Sequence, residues 1–208
     1  MIRAVLFDID GVLIDSIQAN FKFFCDLMEK FGYDFMTEEE YISFFHLPMK
    51  DLIRHVTQSN NENEIEKIWL SGKAREVPYP NELLSTPENL EQTLEILSKN
   101  YTLGIVTSRS RVGIYSVPQL EEIKEYFKTD VAYEDTKDHK PHPAPLLFAS
   151  KKLGVSPSEC VYIGDSKTDI IAAKAAGMKS ILYSKVAYPD ADASTSSFAQ
   201  LPKLIKNL

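Results

Sequence analysis

Short, uninterrupted apolar runs recur along this chain, and their alternation with helical patterns constrains its fold more than any other feature. Ala4 to Phe7, Leu103 to Val106, Val161 to Ile163 and Ser180 to Tyr183 are each bounded by polar residues or glycine, with a weaker run at Asp130 to Tyr133. Such runs read as strands buried on both faces. Helical patterns lie between them at Asn89 to Asn100, Gln119 to Tyr126, Pro145 to Leu153 and Lys167 to Ala176. Thr86-Pro87-Glu88 reads as a cap, a first-turn proline and an acidic residue for the first of these, while Gly154 and Gly177 mark the ends of the last two. Strands alternating with helices of this size predict an α/β fold, a doubly wound, Rossmann-like parallel sheet covered on both faces.

Residues 17–77 break the alternation, because several helical patterns follow one another there with no strand between them. They are expected to form an inserted α-helical domain, with residues 1–16 and 78–208 forming the core. The aromatics of the insertion, Phe21, Phe24, Phe31, Phe44 and Phe45 among them, recur near helical spacing and are expected to be its own core rather than a ligand box. Val77-Pro78-Tyr79-Pro80 is an extended return linker on this reading. A last helix, Leu201 to Leu208, follows a Ser-rich segment, Ser194 to Ser197, read as a surface loop.

Composition narrows the function. A net charge of −7 and a pI near 5.2 leave no basic stripe to follow a nucleic-acid backbone, so nucleic acid is not an expected partner. Two cysteines, Cys25 and Cys160, are too few for a disulfide framework. The chain opens directly into a strand pattern, and no apolar run is long enough to span a bilayer, so a cytoplasmic protein without a membrane partner, a monomer or homodimer, is expected.

In a doubly wound sheet, ligands bind beyond the carboxyl ends of the strands, which gives polar residues there particular weight. Four such places stand out. Asp8-Ile9-Asp10-Gly11-Val12 closes the first strand, and two carboxylates on one side of an extended segment repel by roughly 4 kcal/mol at about 4 Å and an effective dielectric of 20, so a cation must offset them. Thr107 and Ser108 follow the second strand and offer hydroxyls and backbone N–H groups to an anionic oxygen. Lys140 stands among prolines in His139-Lys140-Pro141-His142-Pro143, where one ammonium can serve a phosphate and a carboxylate together. Asp165 ends a further strand in Gly164-Asp165-Ser166-Lys167-Thr168-Asp169, with Asp169 one helical turn on. Taken singly, these residues have structural uses as helix caps or solvated loop residues. Together, carboxylates, hydroxyls and one lysine on one sheet edge are the composition of a hard-cation and phosphate site.

Asp8-x-Asp10-Gly11-Val12, Thr107, Lys140 and Gly164-Asp165-Ser166-x-x-Asp169 match, in order, the four motifs of the haloacid dehalogenase superfamily, which the chain resembles over essentially its whole length. The helical insertion after the first motif and Lys140-Pro-x-Pro are similar to the phosphoglycolate phosphatase and β-phosphoglucomutase subgroup. The resemblance implies that Asp8 is a nucleophile forming an aspartyl-phosphate and that Asp10 is the general acid and base. It also implies Mg²⁺ held by Asp8, the Asp10 backbone carbonyl, Asp165 and Asp169, with Thr107, Ser108 and Lys140 on the transferring phosphoryl group. The implied enzyme is a phosphatase acting on a small phosphorylated metabolite. The second aspartate, which dehalogenases lack, disfavours dehalogenation. Asn20 stands where the mutases carry histidine, and a phosphomutase is the first alternative; a non-catalytic binding member of the fold is the other. Phe45-His46-Leu47-Pro48-Met49-Lys50 resembles a cap loop that reaches over the site, which makes His46 and Lys50 candidate substrate contacts. Arg109 reads equally as a contact for a substrate anion or as a surface residue.

Overall fold

The computed structural model describes residues 1–44, 47–186 and 188–208. The chain runs β1 (Ala4–Phe7), α1 (Ile17–Lys30), α2 (Glu38–Phe44), α3 (Met49–Thr57), α4 (Glu62–Lys73), α5 (Leu90–Ser98), β2 (Thr102–Val106), α6 (Pro118–Glu122), β3 (Phe127–Val131), α7 (Ala144–Leu153), β4 (Cys160–Gly164), α8 (Lys167–Ala175), β5 (Lys179–Tyr183), β6 (Ala193–Thr195) and α9 (Leu201–Lys206). All six strands belong to one parallel sheet in the order β3-β2-β1-β4-β5-β6. β1 is central and its four residues are wholly buried, which is why it reads as an unbroken apolar run. The order reverses between β1 and β4, whose registers align Phe7 with Ile163, so the crevice beyond their ends is the switch point where doubly wound sheets bind ligands.

Several boundaries differ from the sequence reading for identifiable reasons. The third strand is Phe127–Val131 rather than Asp130 to Tyr133, because it is an edge strand that alternates: Thr129 and Val131 are buried, whereas Lys128 is exposed. A register shift opposite Leu103 and Gly104 adds a kink that no local pattern announces. α5 begins at Leu90 because Asn89 takes a left-handed conformation (φ 61°), so Thr86 does not cap it. The Gln119 to Tyr126 pattern divides into α6 and a 3₁₀ turn at Lys124–Tyr126. Ser194 does not lie in a loop: Ala193–Thr195 adds the short edge strand β6, and its entry is tied down by Asp192, whose carboxylate accepts hydrogen bonds from the Ser180 backbone N–H (2.9 Å) and hydroxyl (3.1 Å).

Two compact units make up the chain, residues 1–15 with 85–208 and residues 16–84. The second continues past Val77 to Leu84, since Val77 and Tyr79 pack into its core with Phe23, Leu27, Ile65 and Ile68. Its aromatics are structural, as expected: Phe21, Phe24, Phe35 and Tyr41 meet with ring centroids 5.7–5.9 Å apart. Phe45 lies outside the described residues.

Candidate active site

The segment after β1 turns back on itself immediately. The Ile9 carbonyl accepts from the backbone N–H groups of Val12, Leu13 and Ile14, and Gly11 adopts φ +76° within the turn. A methyl group at Gly11 would sit 2.0 Å from an Asp165 carboxylate oxygen, so glycine is required here both for its backbone conformation and for the approach of β4's end. The Asp8 N–H donates to the Ile163 carbonyl (2.9 Å), and Asp8 Oδ1 accepts from the Ile9 N–H (2.8 Å), which orients the carboxylate.

Lys140 is the hub. Its ammonium, with only 6% of the side chain exposed, donates to Asp8 Oδ2 (2.7 Å), Asp169 Oδ1 (2.8 Å) and the Tyr162 hydroxyl (2.8 Å). An ammonium has three N–H groups, so all three are used. Tyr162, an acceptor toward Lys140, spends its own proton on the Val106 carbonyl (3.0 Å) and thereby links β4 to the end of β2. Asp169 is committed further as half of a capping box: its carboxylate accepts from the Ser166 N–H (3.1 Å) and hydroxyl (2.6 Å) while Ser166 caps α8. A methyl group at Gly164 would collide with this aspartate, 2.3 Å from its Cβ.

Thr107 is buried at the end of β2 and its hydroxyl accepts from the Arg109 N–H (3.1 Å), with half-buried Ser108 between them. Arg109 is no surface residue: 12% exposed, its guanidinium grips the Asp10 carboxylate through both oxygens, Nε to Oδ2 at 2.8 Å and a terminal nitrogen to Oδ1 at 2.7 Å. The sequence left Arg109 open between an anion contact and a surface role and gave no sign of its pairing with Asp10, because a loop arginine carries no signal of which carboxylate it will meet. Tyr162 is missed for the opposite reason, being hidden inside an apolar strand run.

The electrostatics follow from these pairings. Burial, opposed by Lys140, pushes the Asp8 carboxyl up to about 6. Burial and the neighbouring Asp169 and Asp8 push Asp165 up to about 8. Burial also opposes ionisation of Asp169, yet Lys140 and Ser166 hold it below the usual carboxylate range. Lys140 is raised well above an ordinary lysine, Asp169 and Asp8 outweighing its burial. Oxygens of Asp8, Asp165 and Asp169 lie within 4.8 Å of one another, a group that could hold a metal ion. With all four carboxylates of Asp8, Asp10, Asp165 and Asp169 ionised, Lys140 and Arg109 leave two negative charges uncompensated among the described residues; burial and this excess together push Asp8 and Asp165 up when no cation is bound. That residue set fits a divalent hard cation with oxygen ligands.

Of the expected substrate contacts, Lys50 lies in the second unit, ion-paired with Glu66 and 4.3 Å above the Trp69 ring. His46 lies outside the described residues. Asn20 is held by its neighbours, donating to the Ser16 hydroxyl (3.1 Å) and accepting from the Tyr79 hydroxyl (2.7 Å). Among the described residues, no helix is long and apolar enough to cross a membrane.

A parallel doubly wound sheet with acidic, hydroxyl and lysine side chains gathered at its switch point is the arrangement of an α/β enzyme, and its carboxylates could hold a cation there. Residues 5–183 match the family model for haloacid dehalogenase-like hydrolases, and the chain belongs to that family. It is similar to the pyrophosphatase PpaX of Oceanobacillus iheyensis, 29% identical over 201 residues and 91% of each chain. Among solved structures it resembles a haloacid dehalogenase-like hydrolase from Bacteroides fragilis (TM-score 0.86, 25% identity, 97% of this chain and 100% of that one). It shares its fold with a β-phosphoglucomutase from Clostridium difficile (TM-score 0.79, 22% identity, 100% and 98% covered).

Proposed function

We propose that this chain is a Mg²⁺-dependent phosphatase that cleaves a small phosphorylated metabolite through an aspartyl-phosphate on Asp8. The observation that carries this reading is the geometry of Asp8: one carboxylate oxygen is oriented by the Ile9 N–H, the other by Lys140, at the centre of a cluster that, with its carboxylates ionised, is two charges short of neutrality. Asp8, Asp165 and Asp169, with the Asp10 carbonyl, would hold Mg²⁺, which supplies charge neutralisation for the phosphoryl oxygens. Asp8 attacks phosphorus while Thr107 and Ser108 orient the phosphoryl group and Lys140, its three N–H groups held by Asp8, Asp169 and Tyr162, contributes its positive charge to the phosphoryl oxygens, and the leaving oxygen departs with a proton from Asp10. Asp10 then takes a proton from water, whose oxygen attacks the aspartyl-phosphate, releasing inorganic phosphate and restoring Asp8. Hydrolysis rather than mutase chemistry is supported by Asn20, whose amide is engaged with Ser16 and Tyr79 and has no proton to exchange near neutral pH. Diphosphate is the first candidate substrate, in line with the printed name of the Oceanobacillus relative. Phosphoglycolate and sugar phosphates follow.

Phosphate release should be measured from p-nitrophenyl phosphate, diphosphate, phosphoglycolate and sugar phosphates, with Mg²⁺ and with chelator. Turnover should need the metal and fall roughly 10³-fold or more in Asp8→Asn. Turnover that survives in Asp8→Asn sinks the nucleophile assignment, and isomerisation of a sugar phosphate without net phosphate release would replace the phosphatase with a mutase.

A further inference from the structure

The fork of Arg109 occupies both oxygens of Asp10, at 2.8 and 2.7 Å, in a partly buried pair with Asp10 23% exposed. A carboxylate with both oxygens engaged in this way is turned toward the guanidinium, so it cannot meet a leaving oxygen until the fork lets go. A guanidinium released there needs another planar or tetrahedral anion to replace the one it loses, and bidentate recognition of carboxylate or phosphate is what its geometry suits. The position of that replacement follows from the chemistry. Asp10 must come within hydrogen-bond reach of the leaving oxygen, so Arg109, one hydrogen bond behind Asp10, lies about 6 Å from that oxygen. That is the distance of a group one or two bonds into the leaving part of the substrate. With Thr107 and Lys140 assigned to the transferring phosphoryl group in the proposed reaction, Arg109 behind Asp10 would be left to the side that departs.

We infer that Arg109 is a specificity-determining latch: in the resting enzyme it restrains Asp10, and a second anionic group on the leaving part of the substrate, a carboxylate or a further phosphoryl, takes the guanidinium and frees Asp10 for proton transfer. The inference rests on the assignment of Asp10 as acid and base in the proposed phosphatase. It makes the substrate class phosphoryl compounds with a second negative charge close to the scissile bond. Neutral-tailed esters of the same size are poor substrates, since they leave Asp10 in the fork.

The test compares matched substrates with Mg²⁺ present: phosphoglycolate against 2-hydroxyethyl phosphate for the carboxylate, and diphosphate for the phosphoryl. Each is run with the wild type, Arg109→Lys and Arg109→Gln, and thermal unfolding confirms that each variant is folded. The wild type should favour phosphoglycolate or diphosphate over 2-hydroxyethyl phosphate in kcat/KM. Arg109→Gln should shrink that preference roughly 10- to 100-fold, the size of one charged hydrogen-bonded contact, and Arg109→Lys, which keeps the charge but not the fork, should fall between. If the carboxylate substrate alone shows the effect, the second group is a carboxylate; if diphosphate alone does, it is a phosphoryl. An unaltered preference in a folded Arg109→Gln, with both classes losing rate equally, overturns the latch and leaves the phosphatase intact. Absence of Mg²⁺-dependent turnover on any phosphate ester overturns the phosphatase and the latch together.

Discussion

At the scale of single residues, the site is governed by how few donors Lys140 has. Its three N–H groups are divided among Asp8, Asp169 and Tyr162, so its direction is over-determined and the two aspartates are held in one arrangement. Tyr162 is the neutral member of that set and the one whose hydroxyl can be removed without changing charge. In Tyr162→Phe the ring still fills the core, but the Val106 carbonyl loses its hydroxyl donor and Lys140 loses an acceptor. A buried polar group left unsatisfied costs about 1–3 kcal/mol, which denaturant unfolding will register. Because Lys140 is then less firmly placed, kcat should fall about tenfold with a smaller change in KM. A stability loss with kcat intact would reduce the hydroxyl to a packing and hydrogen-bonding role.

At the scale of elements, α8 does two jobs with one turn. Ser166 and Asp169 close a reciprocal capping box, so the residue that starts the helix also fixes the aspartate that pairs with Lys140. Ser166→Ala removes a cap worth about 1 kcal/mol, and for a chain of this size Tm should drop by about 2–4 °C. The same change withdraws a hydrogen bond that holds the Asp169 carboxyl low, so turnover should fall as well; a Tm drop without any loss of turnover would uncouple the two jobs. Element types were legible in the sequence wherever burial is on both sides, as in β1, β2, β4 and β5. They were least legible at the sheet edges, where β3 alternates and β6 is made of small residues whose pairing depends on Asp192 and Ser180 rather than on hydrophobicity.

At the scale of the whole molecule, uncompensated charge links stability to pH and metal. Asp8 and Asp165 have folded pKa values raised from 3.8 to about 6 and about 8, so between those limits the folded chain binds more protons than the unfolded one. Stability is then greatest on the acid side and is lost as pH rises from about 4 to about 8. Asp169 and Lys140 shift in directions whose effects fall outside that window. Metal-free protein should therefore show a falling Tm between pH 5 and pH 8 in chelator. Added Mg²⁺ should raise Tm, and more at pH 8 than at pH 5, because protons compete for the same carboxylates. A Mg²⁺ shift of equal size at both pH values would detach the metal from these carboxylates.

The amino-acid sequence by itself determined a parallel sheet, the ends of β1, β2, β4 and β5 to within a residue, and the identity of the acidic, hydroxyl and lysine residues near them, because burial pattern and strand termination are local properties. Tertiary structure alone decided which charge meets which. Arg109 reaches Asp10 across 99 positions and Lys140 reaches Asp8 across 132, with Tyr162 brought in from the interior of β4. Hydrogen bonds and close ion pairs act over about 3 Å, and that proximity is created only when parallel strands from distant parts of the chain align their ends. The sequence therefore names the charged participants but not Tyr162, and the folded sheet assigns Arg109 to Asp10, the pairing from which the preference for a second anionic group follows.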